Sequence, residues 1–238
     1  MGKVCVITGA SQGIGRAAAI RMSREPDVSV VVLIARAVGG LEETAAAMDR
    51  DGTQVELIGY DLMDLDGIPD LVRGIHDKFG SIDILLNIAG YADPQSLLDT
   101  EIDNIVKTYT INVFAMLLLI REVTRYMYDR PAKILNVAST AGITSRPGWL
   151  AYASSKAAVV SMSATLADEL AGSGIKIYSI SPGRTATELR RKLAPEEDPS
   201  KIMQPSHVAD VIAQLMSDTE TTLDGQNIVV RLRAQQGG

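Results

Sequence analysis

The chain has 238 residues, enough for one large α/β domain or two small ones at about 150 residues each. Hydrophobic residues make up 46% and charged residues 22%, which excludes a disordered, collagen-like or highly charged fibrous chain. A net charge of −6 with only 4% aromatics opposes phosphate-backbone binding and base stacking, so no nucleic-acid partner is expected. The lone Cys5 cannot close an intramolecular disulfide, and the two distant histidines, His76 and His207, have no metal-ligand spacing. No metal is expected, and a reducing cytoplasmic setting is. The longest apolar run, 113–120, is far shorter than the about 18 residues of a membrane helix, and the N-terminal apolar run is too short for a secretory signal. No membrane partner is expected.

In chain order, short Val- and Ile-rich runs predict strands over 3–8, 29–35, 54–60, 82–87, 133–138, 176–180 and 227–230. Helices are predicted between them over 14–23, 41–49, 67–79, 101–128, 151–171 and 206–217. The strand runs are nearly continuously apolar rather than alternating, as in parallel strands covered on both faces. Strict alternation of strand and helix, with right-handed crossovers, implies an α/β fold: a single Rossmann-type doubly wound parallel sheet of about seven strands with helices on both faces. The stretch 191–205, with three prolines and the acidic run Glu196, Glu197 and Asp198, reads as a surface loop. One domain is expected over 1–233, followed by a mobile tail over 234–238.

The first strand runs into Gly9-Ala10-Ser11-Gln12-Gly13-Ile14-Gly15 and then an Ala-rich helix. Glycines let the backbone approach a pyrophosphate, and the helix N-terminus favours its charge. A tight turn without a ligand is the plainer alternative, because the G-x3-G-x-G spacing differs from the general dinucleotide fingerprint. The second strand ends at Ala35-Arg36, where an acidic residue would hold the ribose hydroxyls of NAD. Arg36 instead offers a guanidinium to a 2′-phosphate, which favours NADP; an ordinary solvated arginine is the alternative. Asp61, after the third strand, could accept from an adenine amino group or serve a turn. Tyr152 and Lys156 lie four apart on one predicted helix and share a face, where a lysine cation would lower the phenol's pKa. Ser139 closes the fifth strand and could hydrogen-bond a substrate carbonyl, or be a strand-end turn residue.

Thr8–Gly15, Asn87-Ile88-Ala89-Gly90, Asn112, Ser139, Tyr152-Ala-Ser-Ser-Lys156, Ser181-Pro182-Gly183 with Thr187, and Asp224-Gly225-Gln226 stand in the order and spacing of the short-chain dehydrogenase/reductases. The chain resembles that family over nearly its whole length. The resemblance implies an NADP-dependent oxidoreductase that reduces a small-molecule ketone, of 3-oxoacyl or general carbonyl type. Tyr152 would transfer the proton, Lys156 would also hold the nicotinamide ribose, Ser139 would steady the substrate oxygen, and Asn112 would belong to a water-linked proton relay. The cofactor would lie along Gly9, Ser11, Gln12, Gly13, Ile14, Gly15, Arg36, Asp61, Leu62, Asn87, Ala89, Gly90, Pro182, Gly183, Thr185 and Thr187. The resemblance also implies pairing through the long helices, as a homodimer or homotetramer.

Three departures from the family pattern are Ile88 in place of a second Asn, Ala138 in place of a first Ser, and Thr185 in place of an aliphatic residue. The segment 183–205 is short for a substrate lid, implying an open or small site. Arg184, Arg190, Arg191 and Lys192 could meet a phosphate, or form a solvated face balanced by Glu196–Asp198. The first of these would fit a polyol-phosphate reductase. A non-catalytic nucleotide sensor is the alternative from another functional class. Ser206 is the expected cap of the last helix, beside His207, and His76 is expected to be a surface or half-buried residue.

Overall fold

The structure is a computed structural model that describes residues 2–48 and 52–232. The tail expected over 234–238 lies outside the described residues. Seven strands among the described residues, β1 (Lys3–Thr8), β2 (Val28–Ala35), β3 (Gln54–Gly59), β4 (Ile84–Asn87), β5 (Ala132–Val137), β6 (Ile175–Pro182) and β7 (Asn227–Val230), form one sheet. Every pairing is parallel, in the order β3-β2-β1-β4-β5-β6-β7. The order reverses between β1 and β4, and in open sheets of this kind the crevice beyond the carboxyl ends of such a pair is where ligands bind.

The helices are α1 (Gly13–Met22), α2 (Val38–Ala46), α3 (Ile68–Phe79), α4 (Ile102–Tyr109), α5 (Ala115–Met127), α6 (Leu150–Glu169), α7 (Glu188–Leu193) and α8 (Pro205–Met216). Alternate residues of each strand feed opposite cores. In β1, Cys5 and Ile7 pack with Ala18 and Met22 of α1, Leu41 of α2 and Ile212 of α8, while Val4 and Val6 pack with Val72 of α3, Leu119 of α5 and Val159 of α6. Burial on both faces is why the strands are apolar at nearly every position.

The helix predicted over 101–128 is interrupted. A π-helical turn, Thr110–Phe114, separates α4 from α5 and buries Asn112 completely. A π-turn widens the backbone ring by one residue and rotates the following side chains, which an apolar pattern does not announce. The stretch Ile102–Met127 has the length and mean hydropathy of a membrane-crossing helix. In this fold it flanks the sheet, with Met116, Leu119, Ile120 and Val123 in the core. Helix α2 begins at Val38, ahead of the expected 41, and α7 occupies the start of the expected 191–205 loop. Helix α8 is capped by Gln204 rather than Ser206: Gln204 N donates to His207 Nδ1 at 3.2 Å in a reciprocal capping box. His76 is half-buried and stacks on Tyr126 with ring centroids 4.1 Å apart.

Candidate active site

Between β1 and α1 the chain turns within a space that only glycine fits. Gly9 has φ +70°, and a Cβ there would come within 2.8 Å of the Ala89 backbone. At Gly15 a Cβ would lie 2.1 Å from the Gly9 carbonyl oxygen. The loop is braced from outside: Arg16 donates to the Ser11 carbonyl at 2.9 Å, and buried Thr44 donates to the Ala10 carbonyl at 2.9 Å. Helix α1 starts at Gly13, so its unpaired first-turn N–H groups face the crevice, and no acidic side chain stands in that turn.

A cavity of about 870 Å³ runs from this loop across the carboxyl ends of the strands. Its wall brings together Gly9, Ser11, Gln12, Gly13, Ile14, Gly15, Arg36, Asp61, Leu62, Ala89, Gly90, Pro182, Gly183, Thr185 and Thr187, and also Ser139, Tyr152 and Lys156. These residues fit a dinucleotide. The glycine turn admits backbone-to-phosphate contact, the helix end favours an anion, and Arg36 is exposed with no acidic partner among the described residues. Asp61 Oδ1 accepts from Met63 N at 3.0 Å in a local turn. Thr187 caps α7, accepting from Arg190 N at 3.1 Å, and stands 3.3 Å from where a Gly13 Cβ would lie. The loop after β6 thereby closes over the glycine turn.

Asn87 and Asn112 stand behind the wall. Asn87 is buried and donates to Asn136 Oδ1 at 2.9 Å; Asn136 in turn donates to Ser163 Oγ at 3.0 Å. Its side chain thus ties β4 to β5 and α6 instead of reaching the crevice, where its neighbours Ala89 and Gly90 form the surface. Those neighbours are fastened to β1 by Thr8, whose Oγ1 accepts from Ile88 N at 3.1 Å and from Ala89 N at 3.2 Å. Asn112 exchanges hydrogen bonds with Tyr91 at 2.8 and 2.9 Å and donates to Ser155 Oγ at 3.0 Å.

Ser139, Tyr152 and Lys156 meet at the far end of the cavity. Ser139 lies two residues beyond β5 in extended backbone, and its Oγ accepts from Ala141 N at 3.1 Å. Burial pushes the Tyr152 phenol above its ordinary value of 10, and a hydrogen bond with Ser139 partly opposes this. Lys156 is buried and donates to the Val137 carbonyl at 2.7 Å, with its Nζ 6.0 Å from the Tyr152 ring centroid. Burial lowers the lysine from 10.5 to about 8. In this geometry burial outweighs the Ser139 hydrogen bond at the phenol. Desolvation governs both groups, and the ammonium turns to a backbone carbonyl. What the trio offers is two hydroxyl donors and a cation around one small space, the groups that proton transfer to a carbonyl oxygen requires.

The outer wall comes from residues that motif spacing does not mark: Arg146 and Trp149 before α6, and Leu189, Leu193 and Ala194 along α7. Trp149 meets Tyr152 edge-on, with centroids 5.8 Å apart. The four cations of the basic cluster share two carboxylates, Glu197 and Glu188. Glu197 accepts from Arg184 at 2.8 Å and from Arg190 at 2.6 and 3.1 Å, and these arginines hold its carboxyl below the ordinary range. Glu188 pairs with Arg191, and with Lys192 at 3.9 Å.

Residues 3–198 match the family model described as short chain dehydrogenase. The chain is 32% identical over 238 residues to the 3-oxoacyl-(acyl-carrier-protein) reductase of Thermotoga maritima, covering 95% of each chain. It is 30% identical over 248 residues to the NADP-dependent 3-hydroxy acid dehydrogenase of Schizosaccharomyces pombe, covering 100% of this chain and 95% of that one. Among solved structures it superposes on the 3-ketoacyl-(acyl-carrier-protein) reductase of Brucella melitensis complexed with NADH, with a TM-score of 0.86, 28% identity and 96% of each chain covered. With this match over most of its length and a dinucleotide cavity ending at a Ser, Tyr and Lys trio, the chain belongs to the short-chain dehydrogenase/reductase family, enzymes that act on alcohol and carbonyl groups with NAD(P).

Proposed function

We propose that the protein is an NADP(H)-dependent reductase that converts a small ketone to a secondary alcohol, with Tyr152 as the proton donor. One observation carries this reading: one cavity joins the glycine turn and Arg36, which has no acidic partner among the described residues, to Ser139, Tyr152 and Lys156. The nicotinamide, when bound, supplies the hydride. Ser139 and Tyr152 hydrogen-bond the carbonyl oxygen, and Tyr152 delivers its proton there as the alkoxide forms. Lys156, as a cation, holds the ribose hydroxyls and stabilises the tyrosinate left behind. In this reading Asn112 belongs to the water-linked relay, and its side-chain bonds to Tyr91 and Ser155 position α6.

Arg36 supports NADP over NAD, since a guanidinium with no acidic partner among the described residues is free to pair with a 2′-phosphate. Gly9, Gly13 and Gly15 would hold the cofactor's pyrophosphate, Asp61 and Leu62 its adenine, and Pro182, Gly183, Thr185 and Thr187 its nicotinamide. A ketose-phosphate substrate is the weaker reading, because Glu197 already occupies Arg184 and Arg190. The exposed Leu98, Ile102, Val106, Phe114 and Leu117 around α4 and α5 support a homodimer or homotetramer built on that face. Oxidation of NADPH at 340 nm with a panel of acetoacetyl esters, diketones and ketose phosphates tests the reading; cofactor binding without turnover of any carbonyl would leave the nucleotide sensor instead.

A further inference from the structure

The cavity contains more cation than its cofactor end can use. Beyond Ser139 and Tyr152, its wall carries Arg146, Arg184, Arg190 and Glu188. Arg184 and Arg190 share Glu197, a half-buried carboxylate held by three hydrogen bonds, and Glu188 is turned to Arg191 and Lys192. Arg146 alone of these has no acidic partner among the described residues, although it lies on the same wall as Tyr152. It precedes Trp149, whose N donates to the Arg146 carbonyl at 3.1 Å, so a tight turn carries the chain from the exposed arginine to the indole at the start of α6. Three residues on from that indole, within one helical turn of it, stands Tyr152.

Resting on the ketone-reductase reading, we propose that Arg146 makes the site selective for an oxo acid, its guanidinium receiving the substrate carboxylate while the ketone lies at Ser139 and Tyr152 and the carbon chain lies against Trp149. A planar guanidinium matches a carboxylate with two parallel N–H donors, and one such group balances one negative charge. A phosphate dianion would call for a second free cation. Arg184 and Arg190, which line the same cavity, are both turned to Glu197. Arg146 is therefore a specificity-determining residue that leaves proton transfer to others.

Trp149 is the chain's single tryptophan, so its fluorescence reports occupancy of this wall without turnover. Acetoacetate, methyl acetoacetate and dihydroxyacetone phosphate are titrated into the wild type, Arg146→Gln and Arg146→Lys, and the same compounds are then assayed with NADPH. Acetoacetate is expected to give a saturable change whose Kd rises about tenfold in Arg146→Gln and less in Arg146→Lys. The acid-to-ester ratio of kcat/KM is expected to fall about tenfold in Arg146→Gln, the loss lying in KM for the acid. An acid-to-ester ratio unchanged by Arg146→Gln overturns the proposal, as does tighter, Arg146-dependent binding of the phosphate. If no compound is reduced yet acetoacetate binding still depends on Arg146, the reductase reading falls and the carboxylate site stands.

Discussion

Asn112 donates to Ser155 Oγ at 3.0 Å, tying the π-turn between α4 and α5 to the residue that precedes Lys156 on α6. Both side chains are fully buried, and Asn112 also satisfies the backbone N–H and carbonyl of Tyr91. Replacing Asn112 by Ala leaves these groups without partners, each costing about 1–3 kcal/mol when buried. Asn112→Ala is expected to lower the urea midpoint and, by loosening the seat of α6, to reduce kcat. Equal midpoints for variant and wild type would show that water takes over these bonds.

Tyr152→Phe removes one oxygen and keeps the ring against Trp149. Turnover is expected to drop by about 10² to 10⁴, the range general acid catalysis supplies, with NADPH still bound. Steady-state rates and nucleotide fluorescence titration separate the two effects.

Arg36 stands exposed at the adenosine end of the cavity. Arg36→Glu should weaken NADPH more than NADH, shifting the preference by about tenfold or more, since a charge-assisted pair becomes a repulsion. Equal affinities of the wild type for the two cofactors would refute the assignment.

Burial lowers Lys156 from 10.5 to about 8 in the folded protein. Below about pH 8 both folded and unfolded lysine are protonated, and the cost of burying the cation is present in full. Between about pH 8 and 10.5 the unfolded chain binds more protons than the folded one, so this group makes stability rise with pH. The cofactor-free wild type is therefore expected to gain on Lys156→Met as pH passes through that window. Urea midpoints of both proteins across pH 7 to 10 check the sign, and a parallel course would show that Lys156 titrates at its ordinary value.

Gly9→Ala places a side chain at φ +70° and within 2.8 Å of the Ala89 backbone. The left-handed conformation alone costs about 1–2 kcal/mol, and relieving the contact parts β1 from the turn after β4. A lower melting temperature and weaker NADPH binding are expected together; calorimetry with and without NADPH measures both.

What the sequence alone determined is whatever depends on residues near one another in the chain. Strands covered on both faces are apolar at nearly every position, so β1 through β7 could be read in order, and their alternation with helices implied the doubly wound sheet. The glycine turn was legible because Gly9 and Gly15 answer a backbone requirement within seven residues, and Tyr152 with Lys156 because a helix sets residues four apart on one face. Only the tertiary structure decided which partners distant side chains take. Asn87 turns to Asn136 rather than the crevice, Glu197 absorbs Arg184 and Arg190, and Lys156 donates to Val137. Each of these pairings joins separate elements, and the free energy of a buried or charged group is set by its surroundings in space, which spacing along the chain does not encode. The same holds for Arg146, an unremarked loop arginine in the sequence that the fold leaves as a cation without an acidic partner among the described residues, lining the same cavity as Tyr152.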